Sequence, residues 1–326
     1  MAMKIYKFHN IYKPTIWGGD RLPLFKGDAE RPSGIGESWE ISGVKGSESI
    51  VEDGREAGTP LSELIARHGA RLVGEKVFER FGTEFPLLIK FIHASKDLSV
   101  QVHPADELAR ERHGMRGKTE MWYVLDTDPG ASLISGLRRQ LTKDSFDRVV
   151  AEGRIMDYVA RHEVKPGDCF YLPAGRIHSI GAGTLLVEIQ ETSDITYRIY
   201  DFGRLDASGK PRELHTALAK DAIDYTVETD YRTRYEATPN QPVLLKRCEH
   251  FNVSLLDMTM PQNLDLRSAD SFVVVIVCDG EVTLTVDADE TRRCRCGETL
   301  LVAAESQAMQ ISPASRKARV LLCVVD

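Results

Sequence analysis

The sequence predicts a mainly β protein: two sandwich or jelly-roll domains, with a few helices added to the N-terminal half. Three observations carry this. Short apolar runs bounded by turn residues recur along the whole chain. Helix signals are few. A pattern of glycine, acidic residue and apolar strand occurs twice, at "GDCFYLPAGRIHSI" from Gly167 and at "GETLLVAAESQAMQI" from Gly297, as expected of a duplicated β unit.

Taken in order, the first helix signal is "TPLSELIARHG", with Thr59 as N-cap, Pro60 in the first turn and Gly69 past the end. The strand "PLLIKFIHA" follows, then the short helix "PADELARERHG" and the strands "EMWYVLD" and "ASLISGL". A third helix, "LTKDSFDRVVAEG", is capped by Thr142, and the strands "DCFYLP" and "GTLLVEIQE" come next. "PRELHTALAKDAIDY" is the fourth helix. From there the sequence is almost purely strands: "FNVSLLDM", "SFVVVIVCDG", "EVTLTVD", "ETLLVAA" and "ARVLLCVVD". The polar run "ETDYRTRYEATPNQ" sets the boundary, giving domains of residues 1–240 and 241–326.

Composition narrows the function. Hydrophobic residues make up 42% and charged residues 28%, the balance of a soluble globular chain. A net charge of −7 gives no reason to expect a nucleic-acid partner. No stretch approaches the roughly 20 apolar residues of a membrane helix. The start "MAMKIYKFHNIYKP" lacks the apolar core of a signal peptide, so a reducing cytoplasm is expected. The cysteines agree. Cys169, Cys248, Cys278 and Cys323 read as small buried hydrophobes, and Cys294 and Cys296 as two strand residues on one face. The sequence carries no signal for an oligomeric state.

In "LSVQVHPAD" strand alternation points Gln101 and His103 one way and Val100 and Val102 the other. Downstream, Gly167, Pro173, Gly175 and His178 fit G-x5-P-x-G-x2-H, while the second copy has Ala303, Glu305 and Ala308 at the last three of those places. In "TLLVEIQET" Leu186, Glu188 and Gln190 share one face. His9, His68, His113, His162, His215 and His250 lack a partner motif and read as surface or capping residues; His93 lies on the strand leading to Gln101.

G-x5-P-x-G-x2-H resembles the second motif of the cupin superfamily, with Ala182 where an Asn is usual and Gln101-x-His103 in place of H-x-H. The order Q-x-H-P, K-x-E at Lys118 and Glu120, P-x-G-x2-H, then "SDITYR", is similar to that of type I mannose-6-phosphate isomerases. "PTIWGG" and "GIGESWEIS" look like the short bacterial form, and the likeness runs from Lys13 to Arg204. The resemblance implies two cupin barrels, the second metal-free. It implies one Zn²⁺ per chain held by Gln101, His103, Glu120 and His178, a donor set without thiolate that also accepts Fe²⁺, Mn²⁺ or Co²⁺. It places Ser99, Lys118 and Arg198 at the substrate and makes Glu188 the proton-transfer glutamate, with Lys118 and Arg198 as further catalytic residues. The implied reaction interconverts mannose 6-phosphate and fructose 6-phosphate through a cis-enediol, on a small sugar-phosphate substrate. The rivals are an Fe²⁺ cupin dioxygenase and a non-catalytic sugar-phosphate sensor.

Overall fold

The computed structural model describes residues 3–28, 30, 32–206 and 208–325. The chain divides into two compact units: unit 1 comprises Met1–Ile11, Trp39–Leu88 and Arg234–Asp326, and unit 2 comprises Tyr12–Ser38 and Ile89–Thr233. Both are built mainly from antiparallel strands, as expected.

Unit 2 holds a five-stranded sheet in the order Tyr197–Tyr200, Val100–Val102, His178–Ile180, Ser132–Leu137, Val159–Glu163. A second sheet, most of whose residues fall in unit 2, runs Ile11–Gly19, Ile35–Ser42, Leu87–Ala94, Thr184–Glu191, Glu120–Thr127, Cys169–Leu172. The inner faces of the two sheets share one core, to which Leu133 and Ile180 come from the first and Ile92, Trp122, Phe170 and Leu186 from the second. The outer face of the five-stranded sheet is covered by helices. Phe146 and Val149 of Lys143–Ala151 and Ala219 of Thr216–Ala222 pack with Val100, Val102 and Ile134. Thr142 caps the first of these helices as expected, in a reciprocal box with Ser145.

Unit 1 repeats the two-sheet plan. Its six-stranded sheet runs Ile5–Tyr6, Thr299–Val302, Val273–Asp279, Ala318–Val324, Asn252–Met258, Pro242–Arg247. Its four-stranded sheet runs Gln262–Asp265, Ala308–Pro313, Glu281–Val286, Glu290–Arg295, and the two sheets enclose a core of Val275, Leu284, Leu300 and Ile311. This unit is wider than residues 241–326. Ile5 and Tyr6 pair with Val302 and Leu301 at one edge of its six-stranded sheet, so the start of the chain belongs with its end. The helices Leu61–His68, Ala70–Val73 and Glu75–Phe81 also belong here. The last of them has its first N–H groups accepted by Asp270, from Glu75 at 2.6 Å and Lys76 at 3.2 Å.

Three local readings change. Pro60, not Thr59, stands at the N-cap of Leu61–His68, and no side chain caps it. Cys294 is buried in its strand, but Cys296 lies beyond the strand end. Cys248 is only partly buried. The internal repeat is visible in the backbone. Gly167 and Gly297 both adopt left-handed φ, 91° and 85°, just before a strand, and His178 and Ala308 each begin the strand after it.

Candidate active site and metal centre

The inner strands of unit 2 bring the expected residues together. Across the five-stranded sheet Gln101 stands opposite His178 on one side and Arg198 on the other. Across the second sheet Glu120 pairs with Gln190, and Trp122 with Glu188. Ser99, Gln101, Lys118, His178, Glu188 and Arg198 all line one cavity of about 610 Å³, with His103 and Glu120 buried beside it.

His103 and His178 each donate a ring hydrogen to a backbone carbonyl. His103 Nδ1 donates to Ile195 O at 2.7 Å, and His178 Nδ1 to Arg176 O at 2.8 Å. A carbonyl only accepts, so the Nδ1 atoms carry the protons and both Nε2 atoms present bare lone pairs. Those lone pairs face each other at 3.1 Å. The Glu120 carboxylate lies 3.5 Å from His103 Nε2 and 3.4 Å from His178 Nε2. Its Oε1 is buried with no hydrogen-bond partner among the described residues. Burial holds both rings neutral, His103 well below the usual imidazole range and His178 at about 4, and the Lys118 charge adds to the effect.

Converging buried lone pairs repel unless a cation lies between them. Bonds of about 2.1 Å to a tetrahedral ion separate donor atoms by roughly 3.4 Å, which matches the spacing here. The group therefore fits a divalent transition metal. Lys118 already brings positive charge to it, with Nζ 2.5 Å from Glu120 Oε2 and 3.1 Å from His103 Nε2. The Gln101 amide adjoins the group: its Nε2 is 3.3 Å from His178 Nε2, and its Oε1 accepts from Ser99 Oγ at 3.3 Å. Turning that amide over would aim its oxygen at the same point. Burial, together with the Glu188 charge, pushes the Glu120 carboxyl up to about 7 against the pull of Lys118.

Glu188 is fully engaged. Lys90 Nζ donates to its Oε1 at 2.9 Å, Lys118 Nζ lies 3.6 Å from the same oxygen, and Trp122 Nε1 donates to Oε2 at 2.8 Å. Burial would raise its pKa, but the Lys118 and Lys90 charges outweigh burial and hold the carboxyl at about 2.

Lys90 is a cavity residue that sequence reasoning missed. It sits buried in "PLLIKFIHA", paired with Glu188 and 3.5 Å from Glu37. A lysine between fully buried neighbours in an apolar strand was the available signal. Trp17, Glu37, Asp194 and Arg212 line the same cavity and were also missed. His93, three residues beyond Lys90, does not line it; it is buried on the other face of the strand, with Nδ1 3.4 Å from Ser95 Oγ.

Arg198 is half-buried and lines the cavity from the strand next to Gln101. Its Nη1 donates to Glu213 O at 2.9 Å, and its Nε is buried with no partner among the described residues.

Residues 5–129 match the family described as "Phosphomannose isomerase type I, catalytic domain". The chain is 36% identical to mannose-6-phosphate isomerase ManA of Bacillus subtilis, over 84% of this chain and 85% of that protein. The crystal structure of the mannose 6-phosphate isomerase from Bacillus subtilis superposes with a TM-score of 0.87 at 30% identity, covering 98% of this chain and 99% of that one. A zinc-bound mannose 6-phosphate isomerase structure superposes with a TM-score of 0.78 at 15% identity, over 98% or more of both chains, a likeness of fold alone.

Proposed function

We propose that this chain, which belongs to the type I mannose-6-phosphate isomerases, interconverts mannose 6-phosphate and fructose 6-phosphate with one bound metal ion. The observation that carries the proposal is the pair of facing Nε2 lone pairs at 3.1 Å beside the Glu120 carboxylate, inside a cavity that also presents Lys90, Lys118 and Arg198.

His103, Glu120 and His178 hold the ion, with the Gln101 amide oxygen as the fourth ligand. Zinc is the proposed metal. Two imidazoles and oxygen donors suit it, and a zinc-bound isomerase shares the fold. When bound, the ion supplies positive charge that polarises and orients sugar oxygens.

The remaining residues act on the substrate directly. Arg198 takes the phosphate, because a guanidinium forks two N–H bonds onto phosphate oxygens. Ser99, on the same face as Gln101, offers a hydroxyl to the sugar. The reaction moves a proton between C2 and C1 through a cis-enediol, so negative charge develops on O1 and O2. The Lys118 and Lys90 ammonium groups lie where such charge is stabilised. Glu188 was the candidate base. Held between the Lys90 and Lys118 ammonium groups and the Trp122 N–H, its geometry favours the role of a fixed anion.

A coupled assay with mannose 6-phosphate tests the function. Conversion to fructose 6-phosphate, lost on chelation and restored by Zn²⁺, is the expected result. No conversion by metal-loaded protein would refute it. Among the described residues no helix is long and apolar enough to cross a membrane.

A further inference from the structure

Arg198 shares its end of the cavity with Arg212, and Arg204 is close enough for its charge to be felt at Arg198. Two of these guanidinium groups, Arg204 and Arg212, bind one buried carboxylate, Asp201, which is 5% exposed and whose charge is also felt at Arg198. Arg212 binds it through two N–H groups, Nε to Oδ2 at 2.7 Å and Nη2 to Oδ1 at 2.6 Å. Arg204 also donates to Asp201 Oδ1, and to the carbonyls of Asp201 and Asp97, so it ties the loop down. Arg212 is different. A guanidinium has five N–H groups, and only two go to Asp201, leaving three on a residue that lines the cavity. Three guanidinium charges stand against the carboxylates of Asp201 and Glu213, and the Nε of Arg198 is buried with no acceptor among the described residues.

We propose that Asp201 is a positioning residue for phosphate: it holds Arg212 by one edge, so that the remaining N–H groups of Arg212 and those of Arg198 form a two-arginine cradle for the phosphate of the substrate. This rests on the sugar-phosphate reading above. The pairing is doubly hydrogen-bonded to a buried carboxylate, so it fixes the plane of the Arg212 guanidinium before any ligand arrives. Such preorganisation lowers the ordering cost of binding. Asp201 itself touches no substrate. A phosphate has room for both arginines because each engages it by a pair of N–H groups.

The test compares the full-length metal-loaded parent with Asp201→Asn. Asn keeps the shape but gives up the charge and one acceptor edge. Two quantities are read: KM and kcat for mannose 6-phosphate, and the affinity for inorganic phosphate by calorimetry, which needs no turnover. The expected result is a KM about ten-fold higher with kcat within about two-fold, and a parallel loss of phosphate affinity. Unchanged KM and phosphate affinity in folded Asp201→Asn would overturn the proposal, as would a fall in kcat alone. Where Asp201→Asn does not fold, Arg212→Gln keeps the Arg204–Asp201 pair and carries the same readouts, and unchanged values there overturn the proposal equally. A parent whose phosphate affinity falls in Asp201→Asn, yet which does not isomerise mannose 6-phosphate, would sink the reaction and keep the subsite. The converse pattern would keep the reaction and sink the subsite.

Discussion

Lys90 Nζ and Glu188 Oε1 meet at 2.9 Å inside unit 2, both buried, on strands that reach the cavity from different parts of the chain. The ammonium of Lys90 is held well above its usual range: burial opposes this, but the Glu188 and Glu37 charges prevail. The pair is therefore ionised, and Glu188 serves as counter-charge to Lys90 and Lys118 together.

Glu188→Gln removes that counter-charge and keeps the shape. We expect kcat to fall about a hundred-fold, with metal content retained and solvent-deuterium exchange at C1 and C2 still measurable in the sugar. Complete loss of exchange with intact metal and substrate binding would return the base role to Glu188.

Lys118 Nζ bonds to two atoms of the proposed metal centre, Glu120 Oε2 and His103 Nε2. Lys118→Met should bind Zn²⁺ several-fold more tightly than the parent while losing activity, since like charges no longer repel. Weaker zinc binding in a competition titration would show that Lys118 supports the metal ligands instead.

Much of the site was legible in the sequence because local geometry sets it. Gln101 and His103 share a face through strand alternation, and the glycine and proline of "PAGRIH" mark the turn that delivers His178 to its strand. The pairing of Ile5–Tyr6 with Thr299–Val302 was not legible, because nothing local in a two-residue strand names a partner almost 300 residues away. Lys90 was hidden for a related reason. Inside an apolar run it reads as an interruption, and only the second sheet partner, carrying Glu188, explains it. In the helix Leu61–His68 the N-cap is Pro60, which has no side-chain acceptor to offer, so composition pointed one residue too early.

Arg198→Ala should raise KM for mannose 6-phosphate roughly ten- to hundred-fold, the worth of a charge-assisted hydrogen bond, with zinc content unchanged. Steady-state kinetics with parallel metal analysis decides it. Unaltered KM and kcat would remove Arg198 from the phosphate end.

Unit 1 has its own pH signature. Glu298 accepts from Lys7 Nζ at 2.9 Å and from the Arg295 N–H at 2.8 Å. Burial raises its pKa, but these bonds and charges lower it further, for a net fall below 4.5. A lowered carboxylate contributes stability that is complete above its unfolded pKa and is lost as pH drops through the folded one. Glu298→Gln should therefore melt below the parent at pH 7, and the two curves should converge as the pH falls below the ordinary carboxylate range and through the lowered folded-state pKa. A difference in Tm that persists undiminished at pH 3 would mean that the carboxylate charge is not the cause.

The most direct test of the account is metal content and isomerase activity measured together in the parent and in His178→Ala. Removing one imidazole breaks the set of converging donors at His103, Glu120 and His178. About one metal ion per chain is expected in the active parent. Metal and mannose-6-phosphate isomerase activity should be lost together in the variant, with the fold kept. Full metal occupancy in His178→Ala, or full activity without metal, would contradict it.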